Sequence, residues 1–421
     1  MGRNSCLLTT LCLALVTGCH VNNNDSSAAA SAGTSAFYYQ SGGTGVFSGK
    51  TAAVSGTDVS GVCVDDAGTL NMTSCTLTSS SACSSIANSQ DYGLDAVALA
   101  KNASTLNLTG GQVSSSSLGA TGVFATGSGS TANLTDVEIV TTGTSAPGVA
   151  ATLGGALALS GCTVTTSGTS SPALGMADGT GTVTITGGTL ATSGTSSPVL
   201  QCQGTVAITG ATLSAGAGNG AQIQGARTVT LTSTSLAVSG TGQYGVLLYQ
   251  SGTPSGTATF TMTGGSLAAG GGPVFFVSNT TADITLEGVT VTAGSGVLVE
   301  AAVTTAYGSA GGTATLTARA QTLAGNLVVD DASSSVALVL SNASTLTGAV
   351  TGGALTLDTT STWKVTGTSH LTTFSDPEGI TGTAVANVTG NNHTVYYLSA
   401  ANPALAGLTY TLAGGGTLVP E

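Results

Sequence analysis

Short runs of alternating apolar and polar residues recur along most of the chain. In the segment VTITGGTL, apolar and hydroxyl-bearing residues alternate before a pair of glycines. This is the period of a β-strand, whose successive side chains point to opposite faces. The pattern predicts that Val183 and Ile185 face inward. The outward positions are Thr182, Thr184 and Thr186.

The run recurs at a nearly constant interval. Corresponding apolar residues are Met72, Leu108, Leu134, Leu159, Ile185, Ile208, Leu231, Met262 and Leu286. Six of the eight intervals between them are 23 to 26 residues long. A second apolar segment, often opened by Gly or Pro, follows at a steady offset, and a weaker third strand lies between. Three short strands and three turns in about 24 residues are typical of one coil of a parallel β-helix.

The sequence therefore predicts an all-β fold, a right-handed parallel β-helix with coils of about 24 residues over residues 37–312. About eleven or twelve coils, each about 4.8 Å high, would form a rod of roughly 55 Å. An up-and-down barrel or a propeller is disfavoured. Barrels need hairpin turns every ~8 to 12 residues, and propeller blades need about 40 residues or more.

Composition supports this fold class. Only 6 % of the 421 residues are charged and 63 are Gly, whereas a helical enzyme carries about a quarter charged residues. A hydrophobic fraction of 41 % argues against disorder. The net charge of −12, with only 6 basic side chains, excludes a basic surface for nucleic acid.

Residues 313–421 follow a weaker form of the repeat and contain bulkier side chains. Their aromatic residues are Trp363, Phe374, Tyr396, Tyr397 and Tyr410. The open end of a β-helix exposes unpaired strands and an apolar core, and it must be covered. We therefore expect the last coils and an aromatic-rich C-terminal cap in this region.

Two intervals of the repeat are longer than the rest. The segment TLTSSSACSSIANSQDYGLD, between Cys75 and Ala96, exceeds a normal coil by about ten residues. The segment YQSGTPSG lies between Leu231 and Met262. Insertions project from one face of a solenoid and are its usual binding elements. Neutral surface variation is the other interpretation.

The first residues resemble the signal of a bacterial lipoprotein. The apolar run Cys6–Val16 is too short to cross a bilayer as a helix but suits a secretory signal. It ends in Val16-Thr17-Gly18-Cys19, which resembles the lipobox, where cleavage precedes a cysteine whose thiol carries diacylglycerol. The resemblance implies a signal peptide at residues 1–18 and a lipid on Cys19. Residues 19–36 are polar and small and predict a disordered tether.

A second resemblance concerns the C-terminal region. The stretch from STWKVTG through HTVYY to LAGGGTLVPE resembles the C-terminal coils of bacterial β-helical surface proteins of the adhesin and autotransporter-passenger type. Together the two resemblances imply a protein of the bacterial cell envelope, lipid-anchored and surface-exposed at the outer membrane. Its expected partners are the membrane, through the lipid, and a glycan or a host or cell-surface protein.

Four acidic residues are candidates for a calcium site. Asp65 and Asp66 are adjacent, and Asp91 and Asp95 lie on or beside the longer insertion. Neighbouring coils could bring the four carboxylates together, which would suit calcium, although an acidic rim that solvates the N-terminal end is the preferred interpretation. Because no acid or base partner accompanies them, we expect no catalysis and no other cofactor.

The cysteines indicate export. Cys63, Cys75 and Cys83 are close in sequence and could form one disulfide. We expect Cys83 to pair with Cys75 or with Cys63, and the first of these pairings is preferred.

Three functions are compatible with these features. The first is a structural or adhesive surface protein that presents a polar face rich in Thr, Ser and Asn to glycans or proteins. The second is a calcium-dependent polysaccharide lyase or hydrolase that uses the four acidic residues. The third is an ice-binding protein, suggested by outward Thr-x-Thr runs such as Thr228, Thr230 and Thr232.

Overall fold

The computed structural model describes residues 35–177 and 180–421. The predicted signal peptide and Cys19 lie outside these ranges, as does most of the predicted tether. The last two tether residues, Ser35 and Ala36, are the first residues of a strand.

The first half of the described chain contains twenty-one strands. In chain order they are β1 Ser35–Ser41, β2 Thr44–Ser48, β3 Thr51–Val54, β4 Val59–Asp65, β5 Thr69–Ser79, β6 Ala98–Lys101, β7 Thr105–Ser115, β8 Val123–Thr126, β9 Thr131–Thr135, β10 Glu138–Thr141, β11 Val149–Thr152, β12 Ala156–Ser160, β13 Thr163–Thr166, β14 Leu174–Gly175, β15 Thr182–Thr186, β16 Thr189–Thr192, β17 Leu200–Cys202, β18 Thr205–Thr209, β19 Thr212–Ala215, β20 Ala221–Gln224 and β21 Thr228–Val238. One helix, α1, spans Ile86–Tyr92.

The second half continues in the same manner. Its strands are β22 Val246–Tyr249, β23 Thr257–Ala269, β24 Phe275–Ser278, β25 Thr281–Glu287, β26 Thr290–Ala293, β27 Val297–Ala301, β28 Thr313–Arg319, β29 Thr322–Ala324, β30 Asn326–Val329, β31 Ser335–Ser341, β32 Thr345–Gly348, β33 Val350–Leu357, β34 Thr362–Val365, β35 Ser369–Ser375, β36 Ile380–Thr381, β37 Ala384–Thr389, β38 Thr394–Tyr397, β39 Tyr410–Ala413 and β40 Thr417–Pro420. Two 3₁₀ turns span Ser399–Ala401 and Pro403–Leu405.

The strands form a parallel β-solenoid of about 15 turns. Each strand pairs with the equivalent strand of the next coil, as Leu159 does with Ile185 and Ile185 with Ile208. Among the described strands only β36–β37 and β39–β40 pair antiparallel. The expectation of eleven or twelve coils is too low, because β1–β3 form a coil before the first recognisable repeat and further coils follow residue 313. At the usual strand separation, this many coils form a rod of about 70 Å.

Each coil contributes to three sheets. The first contains β2, β9, β12, β15 and β18, and the second contains β3, β10, β13, β16 and β19. The third contains β4, β6, β8, β11 and β22. Long strands such as β5, β7, β21 and β23 bend from the first sheet into the second.

The predicted alternation is confirmed. Val183 and Ile185 are 0 % and 2 % exposed, and the three threonines around them face solvent. The inward side chains of successive coils join into one core that runs from Ala52 to Leu418. Burial of these stacked apolar side chains holds the coils together.

The longer insertion folds over the third sheet. Its helix α1 begins after Ser85, whose side chain accepts a hydrogen bond from the Asn88 amide, and ends at Gly93 with φ 71°. The insertion covers an apolar cluster on the outer face of the third sheet. The members of this cluster are Cys63, Ala96, Leu99, Phe124 and Ala150.

The aromatic side chains of the C-terminal region contribute to the core. Trp363 is 1 % exposed and its indole N–H donates to the Gly348 carbonyl at 2.9 Å. Tyr397 and Tyr410 are also buried, and their hydroxyls donate to backbone carbonyls. That these residues cap the end of the core stays a prediction.

Candidate functional site

The outer face of the first sheet carries three columns of hydroxyl and amide side chains, which we name the hydroxyl face. The first column is Thr69, Thr105, Thr131, Thr182, Thr205, Thr228 and Thr259. The middle column is Asn71, Asn107, Asn133, Thr184, Thr230 and Thr261. The third is Thr73, Thr109, Thr135, Ser160, Thr186, Thr209, Thr232 and Thr263. The interruptions are Ala156, Ala158 and Ala207.

The hydroxyl face is regular in two directions. Neighbours within a column are one strand apart, about 4.8 Å, and columns are two residues apart along a strand, about 6.6 Å. None of its members is charged. The first charged residues in register with it are Asp283 and Glu287, which pair with Thr259 and Thr263. The face is therefore a neutral, two-dimensional array of hydrogen-bonding groups.

Asparagines fix one part of this array. The Asn107 side-chain amide donates to the Asn71 oxygen at 2.8 Å, and Asn133 donates to Asn107 at the same distance. Each bond links two coils, so the ladder holds these side chains in one orientation. The recurring repeat predicted these positions, but the hydrogen bonds between them emerge only from the strand register.

Of the four acidic candidates, Asp65 lies beside a lysine. Its Oδ2 is 3.4 Å from Lys101 Nζ, and the Tyr39 hydroxyl donates to the same oxygen at 2.8 Å. The Asn102 amide donates to Oδ1 at 2.7 Å, and Lys101 is only 1 % exposed. Burial opposes ionisation of Asp65, but the hydrogen bonds and the lysine outweigh it and lower its pKa. The hydrogen bond to Asp65 and burial raise the pKa of Tyr39 to about 12.

Asp95 lies in a different environment beneath the insertion. It is fully buried, its Oδ1 contacts the Ser89 hydroxyl, and its Oδ2 has no hydrogen-bond partner. The Ser89 hydroxyl also lies 2.6 Å from the Gly119 carbonyl oxygen. Burial is the main reason that the pKa of Asp95 rises to about 7, with a smaller contribution from the charge of Asp58.

The structure does not gather the four acidic candidates into one cluster. Among the described residues no group of three or more His, Cys, Asp or Glu side chains could hold a metal ion. Asp66 occupies a turn with φ 56°, and the Asp91 carbonyl accepts a hydrogen bond from Thr152 Oγ1 at 2.7 Å. The acidic residues are separated because Asp65 bonds across coils to Lys101, whereas Asp95 is buried under α1.

The predicted disulfide does not form either, since Cys75 and Cys83 are both free thiols. Cys75 belongs to the main core, where its thiol lies 3.4 Å from the Thr73 carbonyl. Cys83 lies in the insertion beside Gly119. The alternative partner, Cys63, is also free and lies in the cluster under the insertion. Burial raises the pKa of Cys63 to about 12.

A second apolar patch on the third sheet was not predicted from the sequence. The rings of Tyr244 and Phe276 stack with centroids 4.5 Å apart, and those of Tyr249 and Tyr307 are equally close. Because these residues are far apart in sequence, only the coil register shows that they are neighbours. Burial raises the pKa of the adjacent Glu300, as does its contact with Asp330.

Comparison with known protein families and with curated proteins finds no match to this chain. In the described part of the chain, no helix is both long and apolar enough to span a membrane.

Proposed function

We propose that the chain is a lipid-anchored protein of the bacterial cell surface, structural or adhesive, whose rod presents the hydroxyl face to glycans or proteins. The observation that carries the proposal is the neutral, regular array of Thr, Ser and Asn over eight successive coils, from Thr69 to Thr263. The lipobox-like Val16–Cys19 supports the lipid anchor.

The chemistry of the hydroxyl face suits a neutral, hydroxyl-rich or amide-rich partner. Each Thr or Ser hydroxyl can both donate and accept a hydrogen bond, and so can each Asn amide. Because the side chains stand on a stacked sheet, little conformational freedom is lost when a ligand binds. A repetitive polymer can contact several coils at once, which raises its apparent affinity through multivalency.

Binding is tested with the chain of residues 20–421, which keeps every described residue and omits the lipidated cysteine. The proposal expects saturable binding to a subset of neutral glycans on an array, or to a protein of the cell surface. Binding that is restricted to charged polymers and disappears with salt would contradict a neutral binding face.

The lipid anchor is tested separately in cells. Incorporation of a labelled fatty acid into the full chain is expected, and Cys19→Ser should abolish it. A stable, unlabelled product cleaved at another position would contradict the anchor without affecting the hydroxyl face.

Ice binding is the second candidate, because the hydroxyl face repeats at fixed spacings in two directions. Such an array could order water in a regular lattice. Thermal hysteresis by the chain of residues 20–421 would support it, and freezing behaviour identical to a non-binding control protein would exclude it. The calcium-dependent lyase is not proposed, because the four acidic residues that it required do not meet.

A further inference from the structure

A buried carboxylate follows β35, far from the hydroxyl face. Asp376 is only 2 % exposed, and it takes part in neither of the two ion pairs of the described chain. Its Oδ1 accepts hydrogen bonds from the Gly379 amide and the Asn387 side-chain amide, each at 3.0 Å. Its Oδ2 is inaccessible to solvent and has no partner.

A second oxygen without a partner lies beside it. The Asn387 side-chain oxygen is also buried and accepts no hydrogen bond. Asn387 lies in β37 where the register against β39 shifts between Val385 and Thr389. Irregularities of this kind redirect side chains away from a regular ladder. The antiparallel pairing of β36 with β37, in which the Ala386 amide donates to the Gly379 carbonyl, brings the Asn387 side chain to Asp376.

Gly379 makes room for these oxygens. A Cβ at this position would collide with both carboxylate oxygens of Asp376 and with the Asn387 oxygen. The φ of Gly379 is outside the left-handed region, so the backbone conformation alone does not require glycine. Glycine is required at position 379 because the three oxygens approach its Cα so closely.

Burial of two oxygens that accept no hydrogen bond is energetically unfavourable. We therefore expect a cation, a proton or a water molecule to contact them. Carboxylate and amide oxygens are the ligands that calcium prefers, in a flexible geometry that accepts water as well. Glu378, exposed in the same turn, offers a second carboxylate. We propose that Asp376 and Asn387, with Glu378 and water, form a binding site for a divalent cation of the calcium type.

The proposal is tested by calorimetric titration of CaCl₂ into the chelator-treated chain of residues 20–421, and by thermal unfolding with calcium or with EGTA. We expect one site with a Kd of about 10⁻⁴ to 10⁻³ M, as in extracellular calcium modules. Calcium should raise the unfolding temperature, and Asp376→Asn should abolish both effects. Asp358→Asn is the matched control, because Asp358 sits in another turn where both of its oxygens accept hydrogen bonds.

A second variant keeps the test decisive if Asp376→Asn fails to fold. Asn387→Asp adds a carboxylate to the same site and should tighten calcium binding by about tenfold, which corresponds to about 1.4 kcal/mol. Absence of a calcium response in the wild type, or its persistence in Asp376→Asn, would overturn the proposal. A stability that depends on pH but not on calcium would instead assign a proton shared between Asp376 and Asn387.

Discussion

The outer faces of the first and third sheets are built on the same coils but have opposite character. On the first sheet, the outward positions carry Thr, Ser and Asn and stay open to solvent. On the third sheet, the corresponding positions carry Leu99 and Phe124 near one end and Leu247 and Phe276 further along, and all four are buried. The inward apolar residues form the core of the rod, whereas the outward residues determine which faces remain exposed to solvent and to ligands.

The covers coincide with the irregular segments of the chain. The longer insertion with α1 lies over Leu99 and Phe124. Over Leu247 and Phe276 the cover consists of Tyr244 and Tyr307, which pack against this cluster from segments between strands. The longer insertion was predicted as a binding element or neutral variation, and here it shields apolar outward side chains from water.

The largest effect is expected from truncation of Phe124, which is fully buried beneath the insertion. Phe124→Ala should destabilise the protein by about 3–5 kcal/mol, because it leaves a cavity under the cover. The matched change on the open face, Thr184→Ala, should alter stability by less than about 0.5 kcal/mol. Denaturant unfolding measures both, and equal effects would remove the distinction between the two faces.

Asp95 makes the attachment of α1 depend on pH. Because burial raises its pKa to about 7, the insertion is most stable below the unfolded value of about 3.9. The contribution of the protonated Asp95 carboxyl to this stability decreases as the pH rises and is fully lost once the pH passes about 7. Between pH 5 and 8, opening of α1 should become roughly ten- to a hundredfold more frequent.

Hydrogen exchange of the α1 amides, corrected for intrinsic rates, measures this change. Asp95→Asn should make the opening frequency independent of pH, and β15 serves as an internal reference. A pH dependence that persists in Asp95→Asn would show that another group controls the cover.

Lys101 tests the buried ion pair at the edge of the covered face. Lys101→Met should lower the free energy of unfolding by about 1–2 kcal/mol. The Asp65 carboxylate would keep its hydrogen bonds from Tyr39 and Asn102 but lose its ion-pair partner. Lys364→Met, at an exposed position, is the control and should change stability little. If thermal unfolding shifts equally in both variants, the ion pair contributes nothing specific.

The smallest effect on stability is expected within the hydroxyl face. Asn107→Ala removes both amide bonds of the asparagine ladder and should cost about 1 kcal/mol. Thr230→Ala, in the same column but outside the asparagine ladder, should lower the free energy of unfolding by less than Asn107→Ala does. A thermal unfolding experiment that ranks them in the opposite order would show that the ladder does not stabilise the face.

The sequence predicted the fold well because its period is simple. Alternation assigned Val183 and Ile185 to the core, and the repeat placed the outward threonines in register. Helix α1 was missed because its segment has no apolar period, although Ser85 and Gly93 are ordinary helix-boundary residues.

The polar contacts could not be predicted in the same way. Lys101 is buried beside Asp65 because the coil register brings β4 and β6 together, and no local pattern in the sequence encodes that contact. Asp376 and Asn387 meet because β36 turns back antiparallel to β37, a hairpin that the repeat does not predict. The pairing of Cys75 with Cys83 failed for a related reason, since nearness in sequence does not place two thiols on the same side of a sheet.

The most direct test of the hydroxyl face moves the same charge between two faces of the rod. Thr184→Asp with Thr209→Asp places two carboxylates on the hydroxyl face, and Thr163→Asp with Thr212→Asp places two on the second sheet. All four positions are exposed, so both variants should fold. We predict that the first variant binds the wild-type ligand at least about tenfold more weakly, a loss of about 1.4 kcal/mol, and that the second binds like the wild type. Equal binding by the two variants would contradict the assignment of the hydroxyl face as the binding surface.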